Sequence, residues 1–414
     1  MKRCVVVGSG AREHALAWGL AKGADVVVTP GNDGMRAHGI SCVAEPATDL
    51  EADLFVIGPE QPLVEGLADR LRAQDKTVVG PGADGARLEG SKAYMKEFLA
   101  AAGVPTAAFA IFRDATKAVE YLATMSPPYV VKTDGLAAGK GVLVTDDFDV
   151  ACADIRLKLS GAAFGDAGLT VVIEEALAGE ECSLIFLCDG TTAWPLAPAQ
   201  DFKRVGDGDR GANTGGMGAY APLSSMSSEQ VLWVRSRIID PTLRELGSRG
   251  IDYRGVLYAG LMLTEDGPKL LEYNVRFGDP EAEVLVPLVG EGLVDQLLAV
   301  GRGRGLDGGF GAVGSAVTVV LASHGYPEST RRGDVISGLG LDGQLSDAVA
   351  GVTVFHAGTR LNENGHFETA GGRVLAVTGV ASSVAEARRR AYLASSLVTF
   401  EGKVMRTDIA RSAV

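Results

Sequence analysis

Short apolar runs alternate with helix-patterned stretches from the first residues of this chain, and that alternation fixes the fold class of its N-terminal part. Cys4–Val7 reads as a buried strand, Glu13–Lys22 as a helix, and Asp25–Thr29 and Leu54–Ile57 as strands. Leu63–Gln74 reads as a helix and Thr77–Val79 as a strand. Such an order predicts a parallel sheet, because parallel neighbours need a crossover and the crossover helices cover both faces. Ligands meet sheets of this kind at the carboxyl ends of the strands. Three glycine turns stand there: Gly8-Ser9-Gly10-Ala11-Arg12-Glu13, Pro30-Gly31-Asn32-Asp33-Gly34 and Gly58-Pro59-Glu60.

The texture then changes. A helix over Ser91–Ala102 is stopped by Gly103-Val104-Pro105. Tyr129–Thr133, Val142–Thr145, Leu169–Glu174 and Cys182–Cys188 read as strands, with the glycine-rich Gly135–Gly141 between the first two. Hairpins dominate, which predicts a small α+β lid. Arg204–Tyr220 has five glycines between Val205 and Gly218 and almost no periodicity, so it reads as a long functional loop. Val231–Arg249 is patterned as a helix, and Val256–Leu263 with Lys269–Asn274 as a hairpin. Gly301–Gly309 resembles a linker. Beyond it Ser315–Ala322, Thr353–Ala357 and Val374–Gly379 read as strands, and Val384–Thr399 as an amphipathic helix. The expectation is a multidomain α/β and α+β protein. An N-terminal parallel-sheet domain would span 1–90, a second domain 91–304 with its lid at about 107–178, and a mostly β C-terminal α+β domain 305–414.

Bulk properties narrow the function. A length of 414 residues leaves room for about two to four domains. Hydrophobic content of 46% and a mean hydropathy of +0.15 fit a soluble globular protein with large cores. A net charge of −13 argues against a nucleic-acid or anionic-membrane partner, though a local phosphate site remains compatible with it. The cysteines Cys4, Cys42, Cys152, Cys182 and Cys188 are odd in number and form no C-x-x-C. Neither a disulfide framework nor a zinc site is indicated, and free thiols in a reducing cytosol are expected. The apolar run after Met1 ends at Gly8, too soon for a signal peptide, and no run of roughly eighteen apolar residues occurs. A cytoplasmic location is the expectation.

Three local patterns carry chemistry. The first is Leu270-Leu271-Glu272-Tyr273-Asn274-Val275-Arg276-Phe277-Gly278-Asp279-Pro280-Glu281. Strand alternation puts Glu272, Asn274 and Arg276 on one face and Leu271, Tyr273 and Val275 on the other. A carboxylate beside an amide oxygen suits Mg²⁺, which shares itself with substrate phosphates. Arg276 could hold a carboxylate or a transferring phosphoryl group through two parallel hydrogen bonds. The bland alternative is an edge strand with a solvated polar face.

The second pattern is Gly8-x-Gly10 between a strand and a helix, which is built for anions at a helix N-terminus. Two features argue against a nicotinamide dinucleotide: Glu13 stands at the third glycine position, and Val26-Val27-Val28-Thr29 ends without an acid for a ribose hydroxyl. Arg12 suits a terminal phosphate. The third pattern is Lys132-Thr133-Asp134-Gly135-Leu136-Ala137-Ala138-Gly139-Lys140-Gly141, where glycines admit phosphate oxygens and lysines act as point charges. It lacks the order and the following helix of a Walker A loop. The run Val171–Glu174 into Glu175 could hydrogen-bond adenine through its backbone, with Glu181 on ribose hydroxyls.

Lys92, Lys132, Gly135–Gly141, Glu174 to Glu181 and Glu272-x-Asn274 occur in the order of the ATP-grasp fold. Beyond that superfamily the chain resembles the phosphoribosylamine–glycine ligases of purine biosynthesis. The resemblance rests on Gly8-x-Gly10-x-Arg12-Glu13-His14, Pro30-Gly31-Asn32, Gly58-Pro59-Glu60-x-Pro62-Leu63 and Leu88-Glu89-Gly90-Ser91-Lys92. It continues through Gln200-Asp201-x-Lys203-Arg204, Asn213-Thr214-Gly215-Gly216-Met217-Gly218, Asn274-x-Arg276-Phe277-Gly278-Asp279-Pro280-Glu281 and Gly371-Gly372-Arg373. Many ATP-grasp enzymes carry an acidic metal ligand upstream of the Glu-x-Asn pair; here Leu257-Tyr258-Ala259-Gly260-Leu261 has none.

The resemblance implies ligation of glycine to 5-phosphoribosylamine at the expense of ATP, through glycyl phosphate. It implies ATP on Lys92, Lys132, Gly135, Gly139, Lys140, Gly141, Glu174, Glu175 and Glu181, and Mg²⁺ or Mn²⁺ on Glu272 and Asn274. Catalytic roles would fall to Arg276, Asp201 and Asp279. Substrate would meet Gly8, Gly10, Arg12, Glu13, Asn32, Glu60, Asn213 and Gly278, with Asp209 also in the long loop. A monomer or weak homodimer acting on small molecules is expected. The competing readings are another ATP-grasp carboxylate–amine ligase, a nicotinamide-dependent oxidoreductase, and an inactive nucleotide sensor.

Overall fold

A computed structural model describes residues 1–136, 141–162, 169–306 and 312–414. Gly139 and Lys140 of the glycine-rich segment, and 307–309 of the expected linker, lie outside the described residues. The N-terminal strands form an all-parallel sheet in the order Ser41–Cys42, Ala24–Pro30, Lys2–Gly8, Leu54–Ile57, Val78–Val79. Their apolar runs are continuous because both faces are covered. Val5, Val7, Phe55 and Ile57 enter one core, and Cys4, Val6, Leu54 and Val56 enter another. The helix expected over Leu63–Gln74 is two helices, Glu60–Val64 and Leu67–Arg72, parted by Gly66 at φ +75°. That left-handed residue turns the chain and sets Glu60 in the first turn of the shorter helix.

The lid is a four-stranded antiparallel sheet in the order Phe109–Phe112, Val171–Glu174, Tyr129–Thr133, Val142–Thr145. Helices Ala115–Leu122 and Phe148–Leu159 give it a core of its own, around Leu122, Val131, Ile155 and Ile173. The central sheet pairs Ala193–Pro195, Glu180–Asp189, Arg254–Thr264 and Gly267–Asn274. A bulge interrupts the last pair, since Gly260 faces Glu272 while Leu261 faces Leu270. The side-chain phase therefore shifts: Leu270 is fully buried with Tyr273 and Val275, and Leu271 is half-buried between phases. Glu272, Asn274 and Arg276 keep their common, half-buried face.

Two expectations are corrected. Arg204–Tyr220 is no irregular loop. Arg204–Gly206 and Arg210–Asn213 form a ribbon, and Gly218–Ala221 pairs with Gln200–Asp201 on one side and Ser315–Ala322 on the other. Its periodicity is hidden because the ribbon is short and turns through Gly208, Asp209 and Gly211, all at positive φ. The helix over Val231–Arg249 contains a π-helical turn, Arg235–Ile239, between Ser228–Val234 and Asp240–Ser248. Pro241 follows that turn and has no N–H to donate back into it.

The C-terminal sheet runs Gln200–Asp201, Gly218–Ala221, Ser315–Ala322, Arg373–Ala381, Val352–His356, with helix Val384–Leu397 packed on it. No single helix is long and apolar enough to cross a membrane among the described residues. All five cysteines are free thiols.

Three histidines join the N-terminal and C-terminal sheets. The His356 backbone N–H donates to His14 Nδ1 at 2.9 Å, and His14 Nε2 lies 2.9 Å from His38 Nδ1. With Nδ1 accepting, His14 is the Nε2–H tautomer and donates to His38. Burial holds His14 well below its ordinary value, lowers His38, and brings His356 down to about 4. The unfolded chain takes up these protons first as pH falls below 6.5, so folding stability is lost from 6.5 towards 4. The fall in unfolding midpoint across that window should be smaller in His14→Gln than in the wild type. Parallel pH profiles would sink the assignment.

Candidate active site

Glu174 organises a lysine cluster. Its carboxylate is 1% exposed, with Lys96 Nζ and Lys132 Nζ each 2.9 Å from one of its oxygens. Lys96 also donates to Thr106 Oγ1 at 2.7 Å, and Thr106 in turn to the Leu270 carbonyl at 2.6 Å. Burial lowers Lys96 to about 8 against the pull of Glu174. The sequence reading placed Glu174 on the nucleotide directly; the structure occupies its carboxylate with two lysines. Lys96 was not anticipated. Its only signal is a lysine one helical turn after Lys92 within the apolar Lys92–Ala102 helix.

Lys92 opens that helix, which Ser91 Oγ caps by accepting from the Tyr94 N–H at 3.1 Å. Asp134 Oδ1 accepts from Ser91 Oγ at 2.9 Å and from the Ala93 N–H at 3.0 Å. The start of the glycine segment, with Gly135 at φ +61°, is thereby pinned beside Lys92. Gly141 accepts the Thr133 N–H at 2.8 Å. Glu175 is exposed, and its backbone N–H donates to the Ala108 carbonyl. Glu181 is exposed and pairs with Lys203 Nζ at 2.8 Å.

Glu272 stands across from these lysines, with Lys92 Nζ at 3.9 Å. Burial alone would raise its carboxyl, but Lys92, Lys203 and Lys132 bring it down to about 2. It is an ionised oxygen donor at any physiological pH. The Asn274 Oδ1 beside it accepts from Arg276 at 3.3 Å. Gly260 faces Glu272 closely enough that an added Cβ would sit 3.3 Å from Glu272 Cγ. No group of three or more His, Cys, Asp or Glu side chains able to hold a metal exists among the described residues. Two hard oxygens with the remainder left to phosphate and water fit Mg²⁺ better than a metal that needs a full protein cage.

Arg276 is more committed than its sequence suggests. It pairs with Glu89 at 2.8 Å and Glu60 at 3.3 Å, and donates to the Phe277 carbonyl at 3.3 Å. Glu89 also accepts the Val275 N–H at 2.8 Å. Glu89 stands in the Leu88-Glu89-Gly90-Ser91-Lys92 motif, and its role emerges only from the fold. The network fastens the N-terminal domain to the acid-bearing strand.

At the N-terminal turn, Glu13 fills the space that its glycines leave. A Cβ on Gly8 would meet Glu13 Cγ at 2.5 Å, and one on Gly58 would meet its Oε1 at 2.1 Å. The carboxylate accepts the Gly10 N–H at 2.7 Å and Arg12 Nε at 2.6 Å. So the Gly10 amide and the Arg12 guanidinium, both expected to face a ligand, meet Glu13 instead. Asn32 caps the Asp33–Ala37 helix and donates to the carbonyls of Ser9 at 2.8 Å and His356 at 3.0 Å.

Asp279 lies next to this turn, its Oδ2 4.0 Å from where a Gly10 Cβ would be. It accepts from Arg373 at 2.8 Å, and Arg373 also binds the Gly215 carbonyl. Gly278 is required by Glu281, whose Oε2 would lie 2.1 Å from an added Cβ. Glu281 accepts from Ser183 Oγ at 2.8 Å and Tyr258 OH at 2.7 Å. Asn213 is half-buried at the end of the ribbon. Asp209, by contrast, pairs with Arg406 at 2.7 Å and ties the ribbon to the C-terminal segment.

Asp201 shares a small cavity with Ser183, Lys203, Tyr258 and Glu181. Its Oδ1 is buried with no protein hydrogen bond, and burial, then Glu281, push its carboxyl well up. The site thus joins a lysine cluster, an ionised Glu272 beside Asn274, and a buried acid, Asp201, whose Oδ1 has no hydrogen-bond partner.

Glu174→Gln should leave two buried lysines short of their counter-charge and cost about 3–5 kcal/mol of stability. Denaturant unfolding measures this, and a loss under about 1 kcal/mol would show that the triad is not structurally required.

The sequence matches three descriptions in chain order: phosphoribosylglycinamide synthetase N domain over residues 2–89, ATP-grasp (A) domain over 90–282, and C domain over 316–412. The phosphoribosylamine–glycine ligase of Brucella melitensis is 44% identical over 432 aligned residues, spanning 100% of this chain and 98% of that protein. The crystal structure of phosphoribosylamine–glycine ligase from Thermotoga maritima superposes with a TM-score of 0.87 at 37% identity, covering 99% of this chain and 100% of that one. The biotin carboxylase domain of Hydrogenobacter thermophilus 2-oxoglutarate carboxylase, solved with MgADP, ADP and bicarbonate, shares the fold at 16% identity and a TM-score of 0.74, covering 98% of this chain and 91% of that one. The chain, with a parallel-sheet N-terminal domain, an ATP-grasp domain and an antiparallel C-terminal sheet, belongs to the phosphoribosylglycinamide synthetase family.

Proposed function

We propose that this protein ligates glycine to 5-phosphoribosylamine, giving glycinamide ribonucleotide, ADP and phosphate in purine biosynthesis. The carrying observation is Glu272, beside Asn274 on the strand, with Lys92 Nζ at 3.9 Å and the charge of Lys132 acting on it, in a chain of this family. A carboxylate acylates poorly because oxide is a poor leaving group. Transfer of the ATP γ-phosphoryl to glycine gives glycyl phosphate; the ribosylamine nitrogen attacks its carbonyl and phosphate leaves. The protein contributes position and charge.

Lys92 and Lys132 are assigned to ATP phosphates, with Gly135–Gly141 over them and the Val171–Glu175 edge at adenine. Glu181 is assigned to the ribose. Glu174 acts through Lys132 and is a positioning residue. Mg²⁺, or Mn²⁺, would be held by Glu272 and Asn274 and would neutralise phosphate charge. Asp201 is assigned to the glycine ammonium, because a buried carboxylate oxygen lacking a partner suits a small cation. Arg276, held by Glu60 and Glu89, keeps a cation beside Asn274 where the acyl phosphate forms.

Phosphoribosylamine is placed between the Gly8–Glu13 turn, Gly278, Asn213 and Asp279 with its Arg373. Arg12 and Asn32 shape that pocket through Glu13 and Ser9. The domain division is proposed at 1–90, 91–304 and 305–414, and the protein as a cytoplasmic monomer or weak homodimer. Net charge of −13 and five free thiols support that setting.

ADP release should require both glycine and freshly made phosphoribosylamine for turnover. Release sustained by a different acid from a panel of carboxylates, with glycine inert, would instead favour another ATP-grasp ligase. Glu272→Ala and Asn274→Ala should each abolish turnover with the unfolding transition retained; normal rates at limiting Mg²⁺ would remove the metal assignment. Arg276→Lys should lose kcat strongly while ATP binding persists, since a point charge cannot bridge two carboxylates and stay beside Asn274. Positional isotope exchange in ATP with glycine alone locates the defect: exchange that survives places Arg276 after activation.

A further inference from the structure

A second cavity, about 370 Å³ in volume, lies outside this site at the junction of the N-terminal domain and the central sheet. Arg72 and Lys76 line it from the N-terminal domain; Arg254, Arg302 and Arg304 line it from the other side. Only Asp75 and Asp252 oppose them, so the lining carries a net positive charge in a chain of net charge −13.

Three of the cations are already engaged. Arg254 pairs with Asp252 at 2.8 Å. Lys76 Nζ donates to the carbonyls of Thr48 at 2.7 Å and Leu50 at 2.8 Å and pairs with Glu51 at 3.6 Å. Arg72 donates through one terminal nitrogen to the Gly80 carbonyl at 2.7 Å, and its Nε is buried with no hydrogen-bond partner. Arg302 and Arg304 are exposed and form no ion pair among the described residues.

Cations brought together at a polar cavity repel one another unless an anion joins them. Among the described residues the lining is polar and rich in guanidinium forks, which recognise phosphate itself. We propose that the cavity is a second anion site, separate from catalysis, which takes a small phosphorylated ligand carrying at least two negative charges. Because its cations come from both sides of the junction, an occupant holds the N-terminal domain against the central sheet.

Isothermal titration of the metal-free protein with inorganic pyrophosphate tests this. The wild type should bind it, less tightly as salt is raised, and its unfolding midpoint should rise. Arg302→Ala/Arg304→Ala should bind about tenfold more weakly or worse, with an unchanged unfolding midpoint in the absence of pyrophosphate. Lys132→Ala should keep the binding that Arg302→Ala/Arg304→Ala loses. Equal binding by wild type and the double variant, or loss of binding in Lys132→Ala, would overturn the proposal, the latter by assigning the pyrophosphate to the nucleotide side.

Discussion

The buried carboxylate of Glu174 between Lys96 and Lys132 is the interaction on which the lysine cluster of the candidate site depends. A lone buried lysine would shed its proton, and a lone buried glutamate would take one up. Together they stay charged, and two cations on one anion leave a surplus positive charge beside Lys92. That surplus favours phosphate. It also links levels of the fold. Lys132 and Glu174 belong to adjacent lid strands, Lys96 to a helix of the body, and Thr106 carries the chain of contacts to the Leu270 carbonyl on the acid-bearing strand.

A second constraint acts where the domains meet. Arg276 is drawn to Glu60 and Glu89, and Arg373 to Asp279, so each cation of the substrate side is also a tether. Buried pairs of this sort contribute little net stability over an apolar equivalent, yet breaking one is costly. Their value lies in position. Glu60 enters from the N-terminal domain and Arg373 from the C-terminal sheet, and the Asn274–Glu281 segment is fixed between them. The same logic explains Glu13, which uses the cradle formed by Gly8 and Gly58 to satisfy the Gly10 amide from within the protein.

Much of this was legible in the sequence where the signal is local. Cys4–Val7, Leu54–Ile57 and Tyr129–Thr133 are apolar runs buried on both faces, and they are strands in the structure. The order of Lys92, Lys132 and Glu272-x-Asn274 was readable because each element is short and chemically unusual. What stayed hidden is non-local. Gly218–Ala221 finds its partner in Ser315–Ala322, far along the chain, so glycine-rich sequence concealed a strand. Lys96 reads as one more helix lysine until the fold brings Glu174 to it. The bulge at Leu271 arises from pairing with Gly260 and Leu261, which periodicity within one strand cannot reveal.

The lid adds an energetic point. Its core, around Val131, Ile155 and Ile173, shares no residue with the other cores. Polar contacts join lid and body: Glu174 with Lys96, and Asp134 with Ser91 and Ala93. Moving a body that has its own core exposes little apolar surface, whereas splitting a shared core would cost about 25 cal/mol for each Å² exposed. The Asp134 hydrogen bonds can be exchanged for water at modest net cost, whereas the buried Glu174–Lys96 pair is the point that stays fixed. The division of cores therefore permits the outer part of the lid to shift relative to Glu272 and Asn274 while Lys132 stays beside Glu174. An acyl phosphate needs that combination, because it must be shielded from water once formed and its products must then leave.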